Sequence, residues 1–376
     1  MKVEFGSAVA GPGRKAWGQL EVREGRKRVK LGVCAVNGAK PGNHVVLMAN
    51  QHGVELNGIE SIRRVCEEID PQKLKGTVFA IPSMNPKAAL LGRQAWVESK
   101  SAEKTREDNS YGTPYNMNFQ WPGRKGDTLV ARMAYEVWNR AVLAPHRRAA
   151  FVLDFHSHMN PTAAYAHNHM AAQLAVSAGV RNVIVTGDNG RIGMNSSVCT
   201  RNGIMGLTIE LEAQGVFRAG SIEDGCRAIR NLLKFYGMLR GRLDLPDDTR
   251  MLDPWRCQRP SEKGPRRSWL DHKAKRAGLV ISRKRQYDLV RKGETLGAIL
   301  DPHAGRIVQT CKAGMGGALY HARTPKPHCA KGERLYTVCI VDRIQPREYV
   351  ADLDRESFLD EERVKKDHEY MVSHHE

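Results

Sequence analysis

The chain has 376 residues, 41% hydrophobic and 27% charged, proportions of a soluble globular protein and not of a disordered or membrane-embedded one. Its 59 Lys and Arg against 41 Asp and Glu give a formal charge of +18, enough for salt-sensitive, sequence-independent adhesion to nucleic acid but with no nucleic-acid-binding motif beside it. No run is long enough to cross a membrane as a helix and the start lacks a signal-peptide core; the eight cysteines contain no CxxC pair, which suits reduced thiols in a cytoplasm.

Residues 1 to about 40 read as paired strands and turns. HVVLMA, ending at Ala49, is continuously apolar and reads as a buried strand of a parallel sheet. GIESIRRVCEEID follows with apolar residues at helical spacing. GTVFAIPSMNP gives a second strand, and residues 97 to 124 form a long polar loop of the kind that is usually functional. TLVARMAYEVWNRAVLA reads as a helix, AAFVLDFHSH, NVIVT and LTIELEAQG as strands, and IEDGCRAIRNLLKFYGML as a closing helix. Strands alternating with helices from 44 to about 240 indicate an α/β fold. This sets a first domain over 1–245.

Composition shifts at 246–270, which reads as a linker. Short glycine-separated strands over 271–345 then predict a small all-β barrel or sandwich, with RKGETLG and AKGERLY as related half-repeats. Residues 346–376 form a charged tail, either loose or a docked helix. Lys and Arg concentrate near the start and between Pro265 and Lys292, a surface for acidic partners or simply a solvated exterior.

The chemistry is concentrated at strand ends. His52 and Glu55 lie where the first buried strand passes into a helix, the crevice in which α/β sheets bind ligands. His156 ends the strand FVLDF in a similar polar setting. Two histidines and one carboxylate with an open fourth position form the ligand set of catalytic zinc, which acidifies water to a pKa of about 7. A general base must stand nearby. Glu210 and Glu212, both in LTIELEAQG, point the same way by strand alternation, and spacing alone does not choose between them. Arg93, after a strand end, is able to stabilise an oxyanion.

In order, NQHGVELNG, SMNPKAALLGR, NMNFQWPG, LDFHSH and LTIELEAQG resemble the succinylglutamate desuccinylase and aspartoacylase family, relatives of zinc carboxypeptidases. The likeness covers roughly residues 20 to 345. It implies a mixed sheet flanked by helices with a smaller C-terminal β-domain, and one Zn²⁺ per chain held by His52, Glu55 and His156. It also implies that Arg93 polarises the scissile carbonyl and that Glu210, rather than Glu212, activates water and protonates the leaving nitrogen. Asn116 and Asp154 match supporting positions behind the ligands, and Asn118 and Phe119 match substrate-binding positions.

One departure stands out. The family reads Asp-Leu-Asn-Arg-x-Phe-Pro-Gly where this chain has Asn116-Met117-Asn118-Phe119-Gln120-Trp121-Pro122-Gly123. The arginine that grips a substrate carboxylate is Phe119, and a ring cannot replace a bidentate guanidinium. If a carboxylate substrate were nevertheless cleaved efficiently, Arg106 or Arg124 in the same long loop would be the substitute clamp. His158, His167 and His169 are further candidates for contact with substrate or a second metal.

The expected function is zinc-dependent cleavage of an N-acyl amide of a small metabolite. A carboxypeptidase is the alternative within enzymes. A basic nucleic-acid-binding protein on an inactive hydrolase scaffold is the alternative outside them. Self-association stays open.

Overall fold

The computed structural model describes residues 1–96, 114–144, 148–186, 194–252, 269–323 and 327–375. Its centre is the run of apolar strands read from the sequence. Lys40–Ala49, Phe151–His158 and Met205–Glu212 lie side by side and parallel, Lys75–Ile81 runs parallel to the first, and further strands extend a ten-stranded mixed sheet on both sides. The outer edge on one side is the long hairpin of Arg14–Glu24 and Lys27–Asn37. On the other side Ala163–Ala166 runs antiparallel to Met205–Glu212, and Asn182–Val185 lies parallel to Ala163–Ala166.

Continuous apolar strands must be covered on both faces. One face packs against the helices Asn57–Glu68, His169–Ser177 and Ala219–Phe235. The other is covered by Leu129–Val137 and by Asn195–Arg201. Helix Asn57–Glu68 lies close on the sheet, because a Cβ at Gly58 would meet that of Phe155 at 2.5 Å.

The C-terminal region forms two four-stranded sheets, the expected small β-domain. Leu296, Ile299, Leu319, Leu335 and Val338 fill its core. Two strands bracket that domain and belong to the large sheet: Thr249–Leu252, from the segment read as a linker, and Asp342–Ile344 pair with each other at its edge. The last residues form the helices Pro346–Ala351 and Glu361–His375, and Phe358 and Val364 enter the main core. Ala163, Ile184, Leu252, Tyr287, Ala318 and Cys339 pack together where the β-domain meets the sheet. No described helix is long and apolar enough to cross a membrane.

Candidate metal centre and active site

At the end of Lys40–Ala49 the chain turns sharply through Asn50, whose φ is 61°, a region Asn tolerates better than most residues. Its side-chain amide donates to the carbonyls of His52 at 2.8 Å and Glu55 at 3.1 Å, fixing the loop between them. Ser83 in turn donates to Asn50 Oδ1 at 2.6 Å. Position 53 must be glycine, since a Cβ there would meet the Ala88 backbone at 2.2 Å. The helix Pro86–Leu91, N-capped by Asn85, is thereby held against the loop. Gly53 N–H also donates to Gln94 O at 3.1 Å, so Arg93, which is exposed, lies on a segment tied to the same loop.

His52, Glu55 and His156 come together as a buried group whose ligand atoms all lie within 4.8 Å of one another. His52 Nδ1 lies 2.9 Å from Glu55 Oε1, and His156 Nδ1 lies 2.9 Å from Glu55 Oε2. The opposite ring nitrogens are already engaged. His52 Nε2–H donates to Asn116 Oδ1 at 2.9 Å, and His156 Nε2–H donates to Asp154 Oδ2 at 3.2 Å. A neutral histidine that donates from Nε2 presents a lone pair at Nδ1, so two lone pairs face one carboxylate. That arrangement requires positive charge between them.

The electrostatics of these groups make the same demand. Burial opposes ionisation of Glu55, yet the adjacent His52 and His156 hold its carboxyl well below the usual range. Burial would lower both imidazoles, but the nearby carboxylates raise them. The carboxylates thus favour positive charge at the point where the two Nδ1 atoms converge. Glu55 Oε2, enclosed and facing only His156 Nδ1 at 2.9 Å, is a further atom that a metal ion would satisfy. The residues fit a divalent metal.

Behind this triad lies a chain of hydrogen bonds that the sequence does not mark. Trp121 Nε1–H donates to Gln51 Oε1 at 2.9 Å, and Gln51 Nε2 donates to the Asp154 carboxylate that orients His156. Gln214 Nε2 reaches Glu55 Oε1 at 3.4 Å. All three residues lie inside the quoted motifs, but nothing in their spacing marks them. Asn118 and Phe119 sit half-buried on a short 3₁₀ turn, Met117–Phe119, with Asn118 N–H donating to the same Asn116 Oδ1 at 3.1 Å.

Glu210 and Glu212 separate clearly. In the parallel pairing Glu210 stands opposite His156, and Glu212 opposite His158. Glu210 Oε2 is buried without a hydrogen-bond partner. Burial, reinforced by the charge of Glu55, pushes its carboxyl up to about 7. Glu212 instead pairs with Arg218 and with Arg285 of the β-domain; these guanidiniums overcome the effect of burial and lower it.

The other histidines do not join the triad. His158 is half-buried, neither ring nitrogen has a partner, and burial pulls its imidazole down to about 4. His167 is buried with Nδ1 3.5 Å from Thr186 Oγ1, and His169 is exposed at a helix start. Arg124 is paired with Asp127 at the surface, and Arg106 lies outside the described residues.

Residues 41–236 match the model of the succinylglutamate desuccinylase/aspartoacylase catalytic domain. The chain belongs to this family. It is similar to the N-alpha-acetyl-L-2,4-diaminobutyric acid deacetylase of Halomonas elongata, 24% identical over 218 residues, which are 55% of this chain and 58% of that relative. The match therefore spans little more than half of the curated relative's length. Among solved structures, the product-bound ectoine utilization protein EutE (DoeB) of Ruegeria pomeroyi has a TM-score of 0.66 at 20% identity, covering 89% of this chain and 98% of that one. A succinylglutamate desuccinylase/aspartoacylase from Rhodobacter sphaeroides has a TM-score of 0.63 at 19% identity, with 88% and 96% covered. These two likenesses concern the fold, which the family member shares from the mixed sheet to the C-terminal β-domain.

Proposed function

We propose that this family member is a zinc-dependent amidohydrolase that removes an acyl group from the nitrogen of a small molecule. The observation that carries the reading is the convergence of His52 Nδ1 and His156 Nδ1 on the Glu55 carboxylate, with Glu210 in register beside His156. His52, Glu55 and His156 would hold the ion; two imidazoles, one carboxylate and an open position are the donor set of catalytic zinc. A bound zinc ion supplies Lewis acidity toward the scissile carbonyl and acidifies water.

The chain's own residues do the rest. Glu210, with a carboxyl whose affinity for protons is raised to near neutrality, takes the proton from water and later gives it to the leaving nitrogen. A group poised near the working pH serves both directions of transfer. Arg93 is assigned to the carbonyl oxygen as negative charge develops there. Asn116 and Asp154 hold the two imidazoles in the tautomer that leaves Nδ1 free. Asn118 and Phe119 are assigned to the substrate, and Phe119 favours a group without a carboxylate at that contact.

The test is a hydrolysis screen on metal-loaded protein. N-acetyl, N-succinyl and other N-acyl amines are compared, with and without free carboxylates. Release of the free amine from at least one class is expected. Metal-loaded protein that cleaves none of them, but trims the C-terminal residue of peptides, would replace this reading with the carboxypeptidase one.

A further inference from the structure

The face of the sheet that carries the metal centre continues as a regular grid. Asp154 lies opposite Thr208, His156 opposite Glu210 and His158 opposite Glu212. On the other side of Met205–Glu212, the antiparallel strand places Tyr165 opposite Thr208 and Ala163 opposite Glu210. Residues directly opposed across strands share a face, as do residues two apart along one strand. Tyr165 therefore projects on the same side as His156 and Glu210. Ala163 is small and fills little of the space next to Glu210.

Tyr165 is half-buried, and its hydroxyl lies 3.3 Å from that of Tyr287, which belongs to the C-terminal β-domain. The ring of Tyr165 also meets His158 edge-on, with centroids 6.4 Å apart. Tyr287 is 1% exposed and has a φ of 70°. A bulky residue stays in that left-handed region only where its surroundings enforce it, and such positions cluster at functional sites. Here the enforcement is visible. Tyr287 N–H donates to Leu319 O at 2.6 Å, Arg250 Nη1 donates to the Tyr287 carbonyl at 2.8 Å, and two residues earlier Arg285 pairs with Glu212. Burial raises both phenols, and the charge of Glu210 adds to the rise in each. Both hydroxyls remain protonated and within electrostatic reach of Glu210.

We propose that Tyr165 is a substrate-contacting residue of this site and Tyr287 its positioning partner, so that the C-terminal β-domain completes the amide-binding pocket. The proposal rests on the amidohydrolase reading above. In a pair of phenols one hydroxyl donates to the other, and one O–H is left for a third partner. Tyr287 is enclosed and its hydroxyl also meets the buried Gln286 side chain, so Tyr165, which is half-buried, is the member of the pair that a ligand can reach. It offers an uncharged hydrogen bond to the bound amide or to the amine released from it.

The test is a double-mutant cycle on the zinc-loaded full chain with Tyr165→Phe, Tyr287→Phe and both together. Each variant keeps the ring, and melting temperatures measured alongside should stay close to that of the wild type. Tyr165→Phe is expected to lower kcat/KM on the best amide by roughly tenfold or more. Tyr287→Phe should lower it less in the wild-type background and not at all in the Tyr165→Phe background. A second readout is independent of turnover: the affinity of acetohydroxamic acid, a general zinc-binding probe, should fall in the same coupled pattern. Wild-type kinetics and affinity in Tyr165→Phe would overturn the proposal, as would losses that simply add. If the wild type cleaves no N-acyl amide while hydroxamate affinity still shows the coupled loss, the amidohydrolase reading fails and the tyrosine pair stands.

Discussion

Glu210 lies directly opposite His156 on the neighbouring parallel strand, with its Oε2 shielded and without a hydrogen-bond partner. A buried carboxylate oxygen left unmatched is costly, and its place next to the candidate metal ligand His156 gives it a catalytic task under the proposed function. Glu210→Gln keeps size and polarity but cannot accept a proton. We expect it to bind zinc normally, while turnover falls by roughly two to four orders of magnitude. Glu212→Gln should cost much less, because its carboxylate is engaged by Arg218 and Arg285. A folded, zinc-loaded Glu210→Gln protein with wild-type turnover would rule the mechanism out.

The same carboxyl gives the metal-free protein a pH signature. Its ordinary value is 4.5, and in the fold burial pushes it up to about 7. Below 4.5 it is protonated in both states and contributes no difference. As pH rises through that value the unfolded chain ionises freely while the folded one holds its proton, so the folded state loses stability up to about pH 7. Metal-free Glu210→Gln lacks this loss. Its melting temperature should gain on that of the wild type across the interval, and parallel melting curves at all pH values would refute the assignment.

Metal content tests the triad itself. Replacing His52, Glu55 or His156 with alanine removes one of three buried donors that converge within 4.8 Å. Each variant should lose stoichiometric zinc by elemental analysis and lose turnover with it, with modest loss of folding. His52→Ala protein that retained about one zinc per chain would show that the ion sits elsewhere.

The residues behind the ligands should act by degree. Asn116→Ala removes the acceptor for His52 Nε2–H, and Asp154→Ala removes the one for His156. Losing such a partner typically weakens metal binding by about 10- to 100-fold. Competition with a chelator is the measurement. We expect the larger effect at Asp154, because it is charged and is also the end of the Trp121–Gln51 chain. Unchanged zinc affinity in both would make them packing residues only.

These residues differ in how far the sequence revealed them. His52, Glu55 and His156 stood out because apolar strands ended abruptly in polar side chains, a local pattern. The choice of Glu210 over Glu212 was not legible from alternation, since both share a face. What separates them is non-local: His156 beside one, and an arginine from the β-domain on the other. Tyr287 was invisible for the same reason, being 122 positions from Tyr165. The strand Thr249–Leu252 escaped notice because four residues with a single strongly apolar end give no periodicity; its pairing partners supply the order that its composition does not.

The last prediction concerns Phe119. It lies on the 3₁₀ turn Met117–Phe119, capped by Asn116, which also orients His52, so its side chain belongs to the turn that borders the candidate metal centre. An aromatic ring there offers no hydrogen bond to a carboxylate, and taking such an anion out of water against it without a partner is costly. Wild-type protein should therefore act weakly on N-acetylaspartate and N-succinylglutamate, and better where the matching group is apolar, neutral or cationic. Phe119→Arg should improve binding of the carboxylate substrates. A hydrogen bond to a charged group contributes about 1.5 to 3 kcal/mol, so a fall in KM of about tenfold or more is the expected size. The control is the matching carboxamide, whose KM should not fall. Efficient wild-type hydrolysis of N-acetylaspartate would remove the basis for this claim. Arg124 would then have to leave its surface pairing with Asp127 to act as the clamp, and Arg124→Ala would raise KM for the carboxylate but not for the amide.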